Sequence, residues 1–242
     1  MRVELNPSFI LHRRSYRETS LLLDVFSRDY GRLNMVAKGV RRRGNQQAEL
    51  IQPYQCLQIA WSGKGELMTL TNVEPDKSPY VLAGPDLLAG FYVNELLVRM
   101  LHLHEAHPEL FEIYEKSLSG LASKNVQQQV VIRIFEKHLL HNTGYGLVLD
   151  HDVLLKTEID AETEYFYQAD RGPSVTRPAS DDFIKLSGKT LIALNHEELD
   201  NEMTLREAKF LMRYILKRHL GSRPLASRDL YKSYLENSGT VG

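Results

Sequence analysis

Cysteine is almost missing from these 242 residues. Cys56 stands alone, which excludes an intramolecular disulfide and a multi-cysteine zinc cluster, and inside a strand it reads as a small core residue. Long apolar runs are missing as well. None approaches the roughly 18 residues of a membrane span, and residues 1–11 lack the apolar centre of a signal peptide, so no membrane is expected and the chain should stay in the cytoplasm. Catalytic fingerprints are missing in turn: there is no nucleophile elbow, no glycine-rich dinucleotide loop and no evident carboxylate pair. Gly188, Lys189 and Thr190 echo the end of a phosphate-binding loop, but Phe183 stands where that loop needs glycine, and the triplet reads as helix interior. His102, His104 and His107 alternate at a spacing that sends helical neighbours to different faces, with no cysteine or carboxylate to complete a tetrahedral set. No metal, no cofactor and no enzymatic activity are expected. The residues favour a binding protein.

Net charge is also small, −1 in formal terms, yet it is unevenly spread. Residues 1–80 carry 12 Lys/Arg against 8 Asp/Glu, residues 81–203 carry 10 against 20, and residues 204–235 carry 8 against 2. A Debye length of about 8 Å at physiological salt lets such patches act separately, so near-neutrality does not argue against nucleic acid binding. The stretch from Gly31 to Gly44 concentrates the positive charge. A turn glycine leads into an apolar-leaning strand (Leu33, Met35, Val36, Ala37), which delivers Lys38, Gly39, Val40, Arg41, Arg42 and Arg43 to a loop. A glycine between cations lets backbone approach a ligand, and four cations in six residues need an anion or open water.

Around that stretch the chain reads as five short strands, Phe9–Arg13, Leu21–Phe26, Leu33–Lys38, Leu57–Trp61 and Leu67–Val73, several alternating with period two. Tight turns are signalled at Asp29–Gly31 and Ser62–Gly65. A five-stranded oligonucleotide-binding barrel (OB fold) over residues 1–80 is the economical way to bury them without exposed edges. Pro75, Pro79, Gly84 and Pro85 mark a boundary, after which residues 81–242 read as mainly helical. Helices are predicted from a cap at Asp86 to about Leu103, from Pro108, over Val126–Asn142, over Ser180–Asn195, from a capping box at Thr204 and Glu207 to about Leu220, and from a cap at Ser227. An irregular insertion occupies about 147–178, with a hairpin at Asp170, Arg171 and Gly172. The Leu205–Leu220 helix sets a cationic stripe, Arg206, Lys209, Arg213 and Lys217, beside an apolar one. The fold class expected is therefore α+β.

The run SYRETSLLLDVFSRDYGRLNMVAKGVRRR, then LIQPYQCLQIAWSGKGELMTL, FYVNELLVRML and IRIFEKHLLHNTGYG, resembles the RecO family of bacterial recombination mediators. The resemblance implies a barrel followed by a helical domain. It implies a non-enzymatic role in DNA repair and recombination, with nucleoid association during repair. Such a protein would bind single- and double-stranded DNA, anneal complementary strands and help load RecA, indirectly, onto DNA covered by single-stranded DNA-binding protein (SSB), together with RecR. On this reading Arg13, Arg14, Arg17, Arg32, Lys38, Arg41, Arg42 and Arg43 would line the DNA face. Arg133 would receive the carboxylate of the SSB C-terminal tail, beside an apolar groove from Leu88 and Phe91, or would only pair with a local acid such as Glu136 or Glu95. The cationic stripe would be an auxiliary DNA path, a partner surface or plain solvated helix. Some family members carry a four-cysteine zinc site after the GYG block. Here Leu149, Asp150, His151 and Asp152 occupy that stretch, so no zinc is expected and packing alone would hold it. A barrel of this type also fits an RNA chaperone or a scaffold.

Overall fold

The computed structural model describes residues 2–42, 47–123 and 125–238. Five strands come first: β1 (Arg2–Tyr16), β2 (Ser20–Ser27) and β3 (Gly31–Ala37), then after the short helix α1 (Gln47–Leu50) β4 (Cys56–Ser62) and β5 (Leu67–Pro75). Pairing closes on itself in the order β1-β2-β3-β5-β4, with β3 and β5 parallel, which makes a barrel. The alternation seen in the sequence supplies its filling, since Leu23 and Val25, Leu33 and Met35, and Leu57, Ile59 and Trp61 all point inward and are buried. β1 is longer than the five residues expected. Its first half pairs with β4 and its second with β2, and a register shift between Ile10 and His12 bends it from one partner to the other.

Compactness divides the chain differently from the sequence reading at 80/81. One unit comprises Met1–Lys124 and Pro224–Gly242, the other Asn125–Arg223. In the first, α2 (Pro85–Met100), α3 (Pro108–Ala122) and α7 (Ala226–Ser238) accompany the barrel. Phe9 and Phe26 turn out of the barrel, and their rings lie 5.1 and 5.4 Å from Phe111 of α3, with Tyr114 4.9 Å from Phe9. Tyr114 donates to Asn94 Oδ1 at 2.7 Å, and Asn94 Nδ2 donates to the Leu11 carbonyl at 2.8 Å, so one buried amide ties α2, α3 and β1 together. Gly31, with φ of 68°, sits where a Cβ would lie 1.8 Å from the Glu105 carbonyl oxygen, which explains the glycine at that turn. Asp86 does not cap α2; it lies in the first turn, after Gly84. Ser227 does not cap α7 by itself. The Ala226 and Ser227 amides and the Ser227 hydroxyl all donate to the Glu95 carboxylate of α2, which supplies the anion that a helix N-terminus favours.

The second unit contains α4 (Gln128–Asn142), β6 (Glu164–Gln168), β7 (Gly172–Ser174), β8 (Ile184–Ser187), α5 (Gly188–His196) and α6 (Glu202–His219). Phe135 and Leu139 of α4, Leu191 and Leu194 of α5, and Leu211, Met212 and Leu216 of α6 are completely buried. The strands form a sheet in the order β7-β6-β8, and the hairpin expected at 170–172 joins β6 to β7. Three expectations are corrected here. The stretch read as helix over 180–195 is strand β8 followed by α5, because Ile184 and Leu186 pair with Tyr167 and Tyr165, and such long-range pairing overrides local propensity. Gly188 therefore opens a helix directly after a strand. The capping box at Thr204 is replaced by Asn201, whose side chain accepts from the Thr204 amide at 2.9 Å. Glu207 goes instead to the N-terminus of α5, where it accepts from the Ser187 amide and from the Ser187 and Thr190 hydroxyls. An internal carboxylate thus fills the place a phosphate would take, and the Gly188–Thr190 triplet has no phosphate role.

The insertion is also held differently from the expectation of packing alone. Asp152, completely buried, accepts from the amides of Leu154 (2.8 Å), Leu155 (2.9 Å) and Val175 (2.7 Å). Burial by itself would raise its carboxyl, but the bonds from Leu155, Val175, Leu154 and Ser174 outweigh that and leave it below the ordinary range. One carboxylate pins a loop to the end of β7.

Candidate nucleic-acid interface

The cationic loop after β3 is anchored rather than free. Gly39 adopts φ of 70°, and the turn it makes drives Val40, 2% exposed, into the barrel core. Lys38, Arg41 and Arg42 on either side stay exposed. The Arg41 amide donates to the Thr19 carbonyl at 2.9 Å, which fastens the loop to the β1–β2 turn. That turn brings Arg17, stacked over Tyr16 at 5.2 Å, and the preceding end of β1 brings Arg13 and Arg14. Six exposed cations, Arg13, Arg14, Arg17, Lys38, Arg41 and Arg42, are thus gathered at one end of the barrel, where three of its segments meet. Among the described residues none of the six forms an ion pair, although Arg13 donates one bond to the Ile51 carbonyl at 3.0 Å. Arg43 lies outside the described residues.

Arg32 is not brought to this end. It opens β3, roughly 16 Å along the strand from Ala37 at about 3.3 Å per residue. Its guanidinium pairs with Asp24 at 3.0 Å and donates to the Leu101 carbonyl at 3.2 Å, so it fastens the segment after α2 to the barrel. His12 sits 3.8 Å from the same Asp24.

The other predicted residues fall in both units. Leu88 is half-buried and Phe91 exposed on α2, with the Phe91 ring 6.2 Å from Tyr54. Arg133, on α4 in the second unit, is only 5% exposed, and its Nη1 lies 2.8 Å from Glu136, which is fully buried. The local-acid pairing expected for Arg133 is therefore present. Yet Arg133 Nε and Nη1 make no hydrogen bond among the described residues. Lys209 of α6 is half-buried, and desolvation first, then the nearby Arg213 and Arg133, push its ammonium below the usual lysine range against the pull of Glu136. Lys209 thus lies within the field of Arg133, Arg213 and Glu136. Arg206, Arg213 and Lys217 are exposed on α6, so the stripe is real as a surface feature, with Lys209 set deeper than the rest. The sequence reading placed Lys209 on that stripe and missed its grouping with Arg133, because the pairing of α4 with α6 carries no local signal.

Among the described residues no group of three metal-ligating side chains occurs, and no helix is long and apolar enough to cross a membrane. A closed five-stranded barrel with one cationic end, continued by helices, defines the class of oligonucleotide-binding-barrel proteins. Comparison with known proteins narrows the class. Residues 1–79 match the family model Recombination protein O N terminal, and residues 84–229 match Recombination protein O C terminal. The chain is 43% identical over 243 residues to a DNA repair protein RecO of Nitrosococcus oceani, covering 100% of this chain and 97% of that one. It is 38% identical over 234 residues to that of Nitrosospira multiformis, covering 96% of each, and 41% identical over 232 residues to that of Coxiella burnetii, covering 95% and 98%. The chain belongs to the RecO family of DNA repair and recombination proteins.

Proposed function

We propose that this protein is a cytoplasmic recombination mediator. It binds single- and double-stranded DNA through the cationic end of its barrel, anneals complementary strands and, with RecR, helps RecA load onto SSB-coated DNA. The observation that carries the reading is the convergence, on an anchored end of the barrel, of six exposed cations that form no ion pair among the described residues. Two phosphate backbones repel, and a protein that neutralises both lets complementary bases meet. Contacts made mainly to phosphate give little sequence preference. The carboxylate of the SSB tail is taken up by Arg133 together with Lys209, while the stripe on α6 is a further path for DNA or a partner. No catalytic step is part of this role.

Fluorescence anisotropy of labelled single-stranded DNA across salt concentrations tests the reading. Each phosphate contact on a single strand contributes about −0.7 to the log–log slope, so four to six contacts predict roughly −3 to −4. Arg41→Ala with Arg42→Ala reduces the slope by about one unit or more without changing the circular dichroism. A flat salt response, or a slope the variant leaves unchanged, rejects the barrel end as the interface, and preference for RNA of the same sequence in competition would favour an RNA chaperone.

A further inference from the structure

The second unit holds a cleft of about 480 Å³, lined by residues between Val153 and Arg218 and distant in sequence from the barrel's cations. We infer that this cleft is a second nucleic-acid subsite that accepts a single unstacked nucleotide, its base against Phe166 and its phosphate on Arg171 and Arg177. The size falls within the range of small-ligand sites, and the lining combines aromatic walls, Phe166 and Tyr214, with hydroxyl and amide groups able to meet a base edge. The charge is arranged to receive an anion. Of the five charged residues in the lining, Asp170 and Asp182 both accept from Arg218, which also lies over the Tyr214 ring at 5.1 Å and is thereby fixed. Arg171 and Arg177 are the other two, both exposed. Arg177 has one acidic neighbour, Asp181 at 3.7 Å, in a pair so exposed that it holds the arginine weakly. Phe166 is kept in place by an edge-on contact to Phe183 at 5.1 Å and by Lys185 at 5.4 Å from its ring centre. Arg177 also lies over the Phe183 ring at 5.6 Å, and a held aromatic with exposed arginines beside it is an arrangement by which bases are captured regardless of sequence.

The base and phosphate could come from a DNA strand or from a free nucleotide, and one experiment separates the two. Full-length protein is irradiated with a thymidine oligonucleotide carrying a single 5-iodouracil, and adducts are located by mass spectrometry. An adduct on Phe166 is expected in wild type and in the Arg41→Ala, Arg42→Ala protein. Its yield should drop on the order of tenfold in Arg171→Glu with Arg177→Glu, two exposed positions whose change leaves the circular dichroism intact. Displacement by unlabelled oligonucleotide but not by thymidine monophosphate identifies a strand as the source; equal displacement by both identifies free nucleotide. Adducts confined to residues 13–42, or a Phe166 adduct indifferent to the two glutamates, would overturn the cleft while leaving the barrel interface standing. Adducts at Phe166 with none at the barrel would do the reverse.

Discussion

Asp152 holds the loop that follows it to the chain beyond β7 through hydrogen bonds from a single buried carboxylate. Its three backbone bonds come from both sides of the loop, so Asp152→Ala takes a charged acceptor away from three amides at once. The expected loss is about 3 kcal/mol, read by chemical denaturation at neutral pH. The sign of the pH dependence follows from the lowered carboxyl. The unfolded chain takes up the proton first as pH falls, so the contribution is complete above the ordinary carboxylate pKa of about 4 and is lost as pH drops through the folded value. Asp152→Asn should therefore be less stable at neutrality and lose less stability on acidification than wild type. A variant with an unchanged acid dependence would remove Asp152 from that role. Single residues of this kind were not legible in advance: Asp152 follows Asp150 and His151, Asn94 precedes Glu95, and sequence alone does not reveal which amides or carbonyls they meet.

At the scale of elements, α4 and α6 assemble a charge cluster neither helix has alone. Arg133 and Glu136 share α4, and α6 adds Lys209 and Arg213. The surplus positive charge suits a peptide carboxylate, which arginine binds with two parallel bonds. Arg133→Ala should weaken a labelled SSB-tail peptide by ~1.5–3 kcal/mol while naked DNA binds as before. That substitution also deprives the buried Glu136 of its arginine, and breaking a buried pair costs roughly 3–5 kcal/mol. Lys209→Ala therefore serves as the second variant, since half-buried Lys209 can be removed without stranding a charge. A peptide that binds both variants as tightly as wild type would place the tail elsewhere.

For the molecule as a whole, the compact unit that contains the barrel also contains α2, α3 and α7, so the chain leaves this unit at residue 124 and returns at 224. A fragment ending at residue 80 would bare Phe9 and Phe26, both 0% exposed in the full chain, and leave the Leu11 carbonyl without Asn94. Two large rings uncovered together forfeit several kcal/mol at about 25 cal/mol per Å². The 1–80 fragment should therefore aggregate or show broadened amide resonances, and a folded, monomeric fragment with wild-type DNA affinity would show that the helices are dispensable. Binding studies on an isolated barrel carry this risk.

The barrel was legible in the sequence because period-two alternation decides which face of each strand is buried, and turn glycines such as Gly31 decide where strands reverse. The helices that begin at Pro85, Pro108 and Gln128 were legible through their apolar spacing, although the first was expected to start from a cap at Asp86 and the third at Val126. The cationic loop stood out as composition. Tertiary structure alone decided what depends on meetings between distant residues. It divided the six barrel cations from Arg32, which Asp24 and the Leu101 carbonyl hold. It turned residues 184–187 into a strand by giving them Tyr165 and Tyr167 as partners. It sent Glu207 to α5 and Glu95 to α7, each to the helix start that needed an anion. Local pattern fixes a residue's face and period, whereas the partner of a charge or an amide is fixed by three-dimensional proximity, which no spacing in the chain encodes.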